Sequence, residues 1–371
     1  MPVKHRVLST ADEMSDLQEG WESLRAGCRA TVFLSYDWVS LWLRHFGSLA
    51  SPRIVVLEEG GELRAIAPLV LTVQQFRGIR IGRLLFPGNP MGAAETYDLG
   101  IMYRGEMGEI VDGVMAALTE IDWNLIQLLD MHDDPLSRAL YERIAAEWQA
   151  EPPLYEVCPF VNIPPSGEVI ALIGSRTRRT IRKMTSTLEK GGRLGYRLAE
   201  TPDEVLGALK VYFEHHRERW KRKGGSIFSD ERISAFMMDA GRILAAKGIA
   251  EVHEILIDGE VASQMLCIKD GECLRAYRIG MNDKFIEHSP GNLVAYAAMK
   301  KAQARGFKVF DFGKGKSEFK YRMGSEDRQL FGIQAKRGSL ALMSRIASLP
   351  GIRTIITKTG AKESALKKIY E

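Results

Sequence analysis

Between Gly271 and Gly324 the chain changes its hydrophobic period several times in a short distance. Residues 272–280 (ECLRAYRIG) alternate in the manner of a half-buried strand, and HSPGN at 288–292 turns the chain. LVAYAAMKKAQA at 293–304 has helical spacing, KVFDFG at 308–313 is a second short strand, and the loop KGKSEFKYRMG follows. Pro290 suits the first position of a helix, where its missing N–H has no partner to lose, and Gly291 lets the backbone approach a ligand. First-turn amides with the positive end of the helix dipole behind them favour an anion such as a pyrophosphate.

The same patterns divide the rest of the chain. HRVLS reads as a strand, followed by a helix with Trp21 and Leu24 inward, and residues 33–48 as a second helix capped by Ser35 or Asp37. Residues 52–75 form a hairpin about Glu59-Gly60-Gly61. A loop-rich stretch follows at 82–102, then a helix at 108–121, a strand at 124–131, a helix at 135–148 and a strand at 154–163. The second half restarts with a strand at 193–199, helices at 202–222 and 229–248, three antiparallel strands over 249–280, and, after the segment above, a final strand at 329–338. RIVVLEEGGELRAIAPLVL lies over HEILIDGEVASQMLCI, each following two helices, so the two halves read as copies of one fold. The expected class is α+β, each copy a mainly antiparallel mixed sheet flanked by helices. The expected divisions are 1–163, a basic connecting segment 164–192, a second domain 193–344 and a basic tail 345–371.

Length and composition agree with this. At roughly 150 residues per domain, 371 residues suggest two domains, and 45% apolar with 26% charged content is that of a globular chain. The net charge of +4 is mild and argues against a large nucleic-acid footprint. The opening residues carry charge where a signal peptide needs an apolar run, and no apolar stretch reaches the roughly 18 residues of a bilayer span, so a cytoplasmic location is expected. Cys28, Cys158, Cys267 and Cys273 lack metal spacing and read as small packed hydrophobes; no metal is expected.

Several residues suggest chemistry. Arg176, Arg178, Arg179, Arg182, Lys183 and Lys190, with Arg193 just beyond, crowd the connecting segment, as a solvated face or a phosphate-binding edge. Trp220 with Arg219 and Arg222 could stack on and grip a sugar nucleotide or polysaccharide unit, with Trp38, Tyr97 and Asp98 as the opposite wall. Asp311, Glu318 and His253 are candidate bases, and Tyr277 and Tyr321 candidate hydroxyl donors. The tail carries Arg345, Arg353, Lys358, Lys362, Lys367 and Lys368 among Ile and Leu, the pattern of a packed tail, a contact with the inner face of the membrane, or a site for an acidic nucleotide.

In the order and spacing of FLSYDWVSLWL, GGELRAIAPLVL, SRTRRTIRKM, HRERWKRKGG and AYRIGMNDKFIEHSPGNLVAYAAMKKAQARGFKVFDFGKGKSEFKYRMG, the sequence resembles the GNAT acyltransferases. Within them it is most similar to the two-domain CelD-like (cellulose-biosynthesis type) acetyltransferases, relatives of the FemAB peptidoglycan transferases. The resemblance implies two tandem GNAT-like domains, the first degenerate. In the second, acetyl-CoA or another acyl-CoA would lie between the strand ending at Arg278-Ile279-Gly280 and the strand 308–312, its pyrophosphate on amides near Ser289, Gly291 and Asn292. A backbone N–H of strand 272–280 would serve the oxyanion, and Lys320 occupies the loop position where the family carries a lysine. The sequence departs from the usual loop at His288, where Gln or Arg is expected, and at Leu293, where a small residue is expected. The implied function is N-acyl transfer to an amino sugar or polysaccharide precursor by direct attack of the amine on the thioester, with Lys320, Asp311 and Tyr277 as catalytic candidates. Two alternatives stand beside it: a FemAB-type transferase using aminoacyl-tRNA, and a catalytically silent ligand-binding effector.

Overall fold

The computed structural model describes residues 3–28, 30–76, 79–88, 96–221, 224–338 and 340–342. The tail expected at 345–371 and Arg222 lie outside the described residues. The chain forms two compact units, residues 1–155 with 330–371, and residues 156–329.

The first unit runs β1 (Lys4–Leu8), α1 (Gln18–Cys28), α2 (Tyr36–Phe46), β2 (Ser51–Glu59), β3 (Glu62–Phe76), β4 (Ile79–Leu85), β5 (Met102–Tyr103), α3 (Met107–Glu120), β6 (Leu125–His132), α4 (Pro135–Glu147) and β7 (Gln149–Ala150). Strands β1 to β4 pair antiparallel in sequence order, and β4 pairs β6 in parallel. Ser35 caps α2 by accepting the Trp38 amide, as the sequence suggests.

The second unit repeats the plan. After β8 (Leu154–Asn162) and α5 (Ser175–Lys190) come β9 (Leu194–Ala199), α6 (Pro202–Trp220), α7 (Glu231–Ala246), β10 (Ala250–Ile257), β11 (Glu260–Asp270), β12 (Cys273–Met281), α8 (Pro290–Ala304), β13 (Val309–Asp311) and α9 (Glu318–Arg322). Its strand order is β8-β13-β12-β11-β10-β9, antiparallel except for the parallel pair β12–β13. Both units therefore show strand, two helices, three antiparallel strands, helix and a parallel strand. The α+β class with mainly antiparallel sheets is the observed one.

Two expectations change. Strand β14 (Glu326–Lys336), expected to complete the second sheet, pairs antiparallel with β6 of the first unit from Leu330 onward. A strand's alternation reports that one face is buried, not which neighbour supplies its hydrogen bonds. Residues 318–322, read as loop, form the short helix α9.

In the second unit α8 covers one face of the sheet. Its Ala295, Ala298 and Ala302 are fully buried and let the helix sit close over Ile255, Met265, Cys267 and Leu274. Gly291, in its first turn, lies so near β12 that an added Cβ would stand 2.6 Å from Met281 Sδ. Its lack of a side chain serves helix–strand packing. On the other face α6 begins in a capping box between Thr201 and Glu204 and packs Tyr212 over Gly280, where a Cβ would come within 2.5 Å of the ring. Among the described residues, no helix is long and apolar enough to cross a membrane.

A polar chain is buried under α8. Glu251 and His253 on β10 are wholly buried; His253 Nε2 lies 2.8 Å from Glu251 Oε1, and its Nδ1 2.8 Å from the Tyr196 hydroxyl. Lys269 and Arg305 reach the second Glu251 oxygen at 2.9 and 2.6 Å. Burial alone would raise the Glu251 carboxyl, but hydrogen bonds from His253 and Lys269 outweigh it and hold the group at about 2.

Gly280→Ala should destabilise the protein by about 1–3 kcal/mol, because the Tyr212 ring is hemmed by Phe228 at 5.3 Å and has nowhere to withdraw. Chemical denaturation checks this, and a change under about 0.5 kcal/mol would contradict the packing. The Glu251 carboxyl is depressed on folding, so its contribution is complete above the unfolded value near ~4.3 and is lost as pH falls through about 2. The denaturation midpoint of the native protein should therefore fall more steeply between about pH 5 and pH 2 than that of Glu251→Gln. Equal slopes would deny the network that role.

Candidate active site

Strands β12 and β13 pair only over Cys273↔Val309, Leu274↔Phe310 and Arg275↔Asp311. Beyond Arg275 they part, and β12 continues to Met281 with the side facing β13 open. The register with β11 jumps from Cys267↔Ala276 to Leu266↔Arg278, so Tyr277 is the extra residue of a β-bulge. A bulge leaves its residue outside the ladder and re-aims the neighbouring backbone groups. This one falls where the strands separate.

The apex of this opening is pinned electrostatically. Asp311, 1% exposed, accepts Arg275 Nη1 at 2.9 Å, Arg328 Nη2 at 2.9 Å and the Gly313 amide at 2.6 Å, with Cys158 Sγ 3.3 Å from its Oδ1. Arg275 in turn donates from Nε to Asp270 at 2.8 Å. The Asp311 carboxylate thus braces the strand pair and the turn after it, and is not presented to an acceptor. Lys320 Nζ donates to the carbonyls of Gly313, Lys314 and Gly315 at 2.8, 2.7 and 2.9 Å, tying down the loop that follows β13.

At the far end of β12 the chain reverses into α8. Ser289 is left-handed (φ 52, ψ 49), Pro290 occupies the first turn, and the Asn292 amide bonds back to the Ser289 carbonyl at 3.0 Å. The left-handed residue turns the chain so that the first turn of α8 starts beside the end of β12, where Gly291 meets Met281. Ile279 points toward the α8 core and Asn292 is half-buried. Ser289, Gly291 and Asn292 all lie at this start of α8, with Gly291 as the spacer between helix and strand.

His216, which the sequence reading passed over, lies on α6 beside the candidate Trp220. Tyr212, His216 and Trp220 recur every four residues and so share one helix face. His216 stacks on Trp220 (5.6 Å, 13° between planes), and its Nδ1 lies 2.8 Å from the Ser226 hydroxyl. It sits one turn beyond the Tyr212 ring that packs on Gly280, the two rings 5.9 Å apart. Burial, and then the cations Arg278 and Arg219, push its pKa below the usual histidine value, so near neutral pH the imidazole is uncharged and able to accept a proton. The four-residue repeat was the signal available in the sequence.

The remaining candidates scatter. The Arg278 guanidinium lies 4.6 Å from the centre of the buried Tyr277 ring, and Arg219 meets Asp283 at 3.4 Å. Trp220 is partly exposed. Trp38 and Asp98, expected to wall an acceptor, are core residues of the first unit: Trp38 is 2% exposed and edge-on to Phe33, and Asp98 is fully buried. An aromatic stripe at helical spacing fits a core as well as a ligand wall, and only burial separates the two. His253 is committed to the buried chain on β10, and Glu318 is exposed beside Arg322. None of the four cysteines forms a disulfide.

Residues 175–321 match the family model described as an acetyltransferase (GNAT) domain. No curated protein matches. Among solved structures, the chain is similar to FemX, at 13% identity over 89% of this chain and 98% of that one, with a TM-score of 0.60. It is also similar to a conserved protein of unknown function from Bacteroides thetaiotaomicron, at 12% identity over 86% and 97% of the two chains, with a TM-score of 0.55. At such identities the likeness is one of fold. With the acetyltransferase (GNAT) model matching residues 175–321, the protein is an acyltransferase.

Proposed function

We propose that the second unit takes its acyl group from acetyl-CoA, or another acyl-CoA, and transfers it to the amine of an amino sugar or polysaccharide precursor. The observation that carries this reading is the opening between β12 and β13, with a bulge at its mouth and the start of α8 at its far end. An extended thioester laid along the free side of β12 would take hydrogen bonds from strand amides as an added strand does. Its pyrophosphate would meet the first-turn amides of α8 around Ser289, Gly291 and Asn292. A backbone N–H of β12, beside the bulge, would serve the developing oxyanion.

In this mechanism the acceptor nitrogen attacks the thioester carbonyl, the C–N bond forms, the C–S bond breaks, and the thiolate leaves and takes up a proton. His216, uncharged near neutral pH, receives the proton that the amine releases, and Trp220 and Arg219 hold the acceptor's ring. Lys320 and Asp311 act at one remove, the first by shaping the loop after β13 and the second by fixing the angle of the opening. One observation favours a second donor, aminoacyl-tRNA: α5 exposes Arg176, Arg179, Arg182 and Lys183 along one helix.

Calorimetric titration with acetyl-CoA tests the first reading, alongside Asn292→Glu, which adds negative charge at the start of α8 where the helix dipole itself tolerates it. The native protein should bind saturably and the variant at least about tenfold more weakly, with its melting temperature unchanged. With an amino-sugar acceptor, His216→Gln should lower kcat by about a hundredfold or more while acetyl-CoA affinity stays the same. Absence of binding to acetyl-CoA and to longer acyl-CoAs would overturn the donor assignment and direct the search to charged tRNA.

A further inference from the structure

A second concavity lies away from the β12–β13 opening. It has a volume of about 450 Å³ and is formed by α5, α8 and the β9 edge of the sheet. That volume falls within the roughly 300–1,000 Å³ of small-molecule sites. Leu194, Ile255, Leu293 and Ala297 supply an apolar wall, whereas Lys300 and Lys301 stand at the α8 C-terminal end. Lys300 Nζ lies 5.6 Å from the centre of the Tyr296 ring, and Arg182 is one turn along α5 from Thr185, another lining residue. Glu189 is the one carboxylate among the lining residues.

Tyr196 gives this pocket a fixed polar edge. Its hydroxyl is held by His253, which is held by Glu251, which is held by Lys269 and Arg305, so the ring's position is set before any ligand arrives. Burial, and then the charge of Glu251, push the hydroxyl up to about 12, so Tyr196 brings no negative charge to the pocket. The acyl-transfer chemistry makes no use of this buried chain.

We propose that this pocket binds an amphipathic anion, an aliphatic chain ending in a carboxylate or phosphate. The chain would lie along Leu194, Ile255, Leu293 and Ala297, with the anionic head at Lys300 and Lys301. The surplus of cations over the single Glu189 selects against a cationic head of the same chain length.

The test uses the full chain and three twelve-carbon probes below their micelle range: dodecanoate, dodecyl phosphate and dodecyltrimethylammonium. Titration calorimetry should show one-to-one binding of at least one anion, with the ammonium compound weaker by about tenfold or more. Ala297→Trp, which fills the pocket from a half-buried position, should abolish binding, and the double variant Lys300→Glu/Lys301→Glu should weaken the anion by about tenfold or more. Melting temperatures near the native value establish that both variants fold. The proposal is overturned if neither anion binds, if the ammonium compound binds as tightly, or if either folded variant binds as the native protein does.

Discussion

The ion pair between Arg275 and Asp311 is the constraint on which the active site depends. It closes the last parallel step between β12 and β13, and both side chains are almost fully buried. Such a pair contributes little net stability against an apolar replacement, yet removing one partner costs about 3–5 kcal/mol because a buried charge is left behind. What it fixes is geometry. With Arg328 and the Gly313 amide on the same carboxylate, the end of β13 has one position, and the chain beyond it stays on β8, Phe312 donating to the Pro159 carbonyl at 2.9 Å and Gly315 to that of Val157 at 2.8 Å. The opening is the consequence of β12 parting from that line.

The glycines and the bulge complete what the ion pair begins. Gly291 allows α8 to meet Met281, and Gly280 allows Tyr212 to lie on β12, so helices on opposite faces both reach the open strand. His216 then follows from Tyr212 by one helical turn. The site is assembled from close backbone approaches at positions where any side chain would collide, and its polar groups are carried on those approaches.

The two units share an order of elements, but chemistry collects in one of them. In the first, the residues expected to wall an acceptor, Trp38 and Asp98, are packed into the interior. In the second, a buried polar chain from Tyr196 to Arg305 is centred on β10, and the opening beside β12 lies two strands away. Two chemically distinct regions can therefore coexist on one small sheet.

Period and punctuation in the sequence were enough to place most helices and strands, β4 and α9 excepted, because alternation and four-residue spacing follow from burying one face of a local element. The repeated hairpin and the SPGN helix start were likewise legible, since glycine and proline act locally. Partner choice was not. Which strand β14 joins, that Tyr277 is a bulge, and that Gly291 is a spacer all depend on what lies across from the residue in space. The same holds for side-chain roles. Asp311 and Lys320 look like catalytic groups in the sequence, and only their buried partners show them to be braces. His216 looks unremarkable there until the fold sets it on Trp220 and beside Arg278, because a pKa and an accessible face are properties of an environment that distant segments supply.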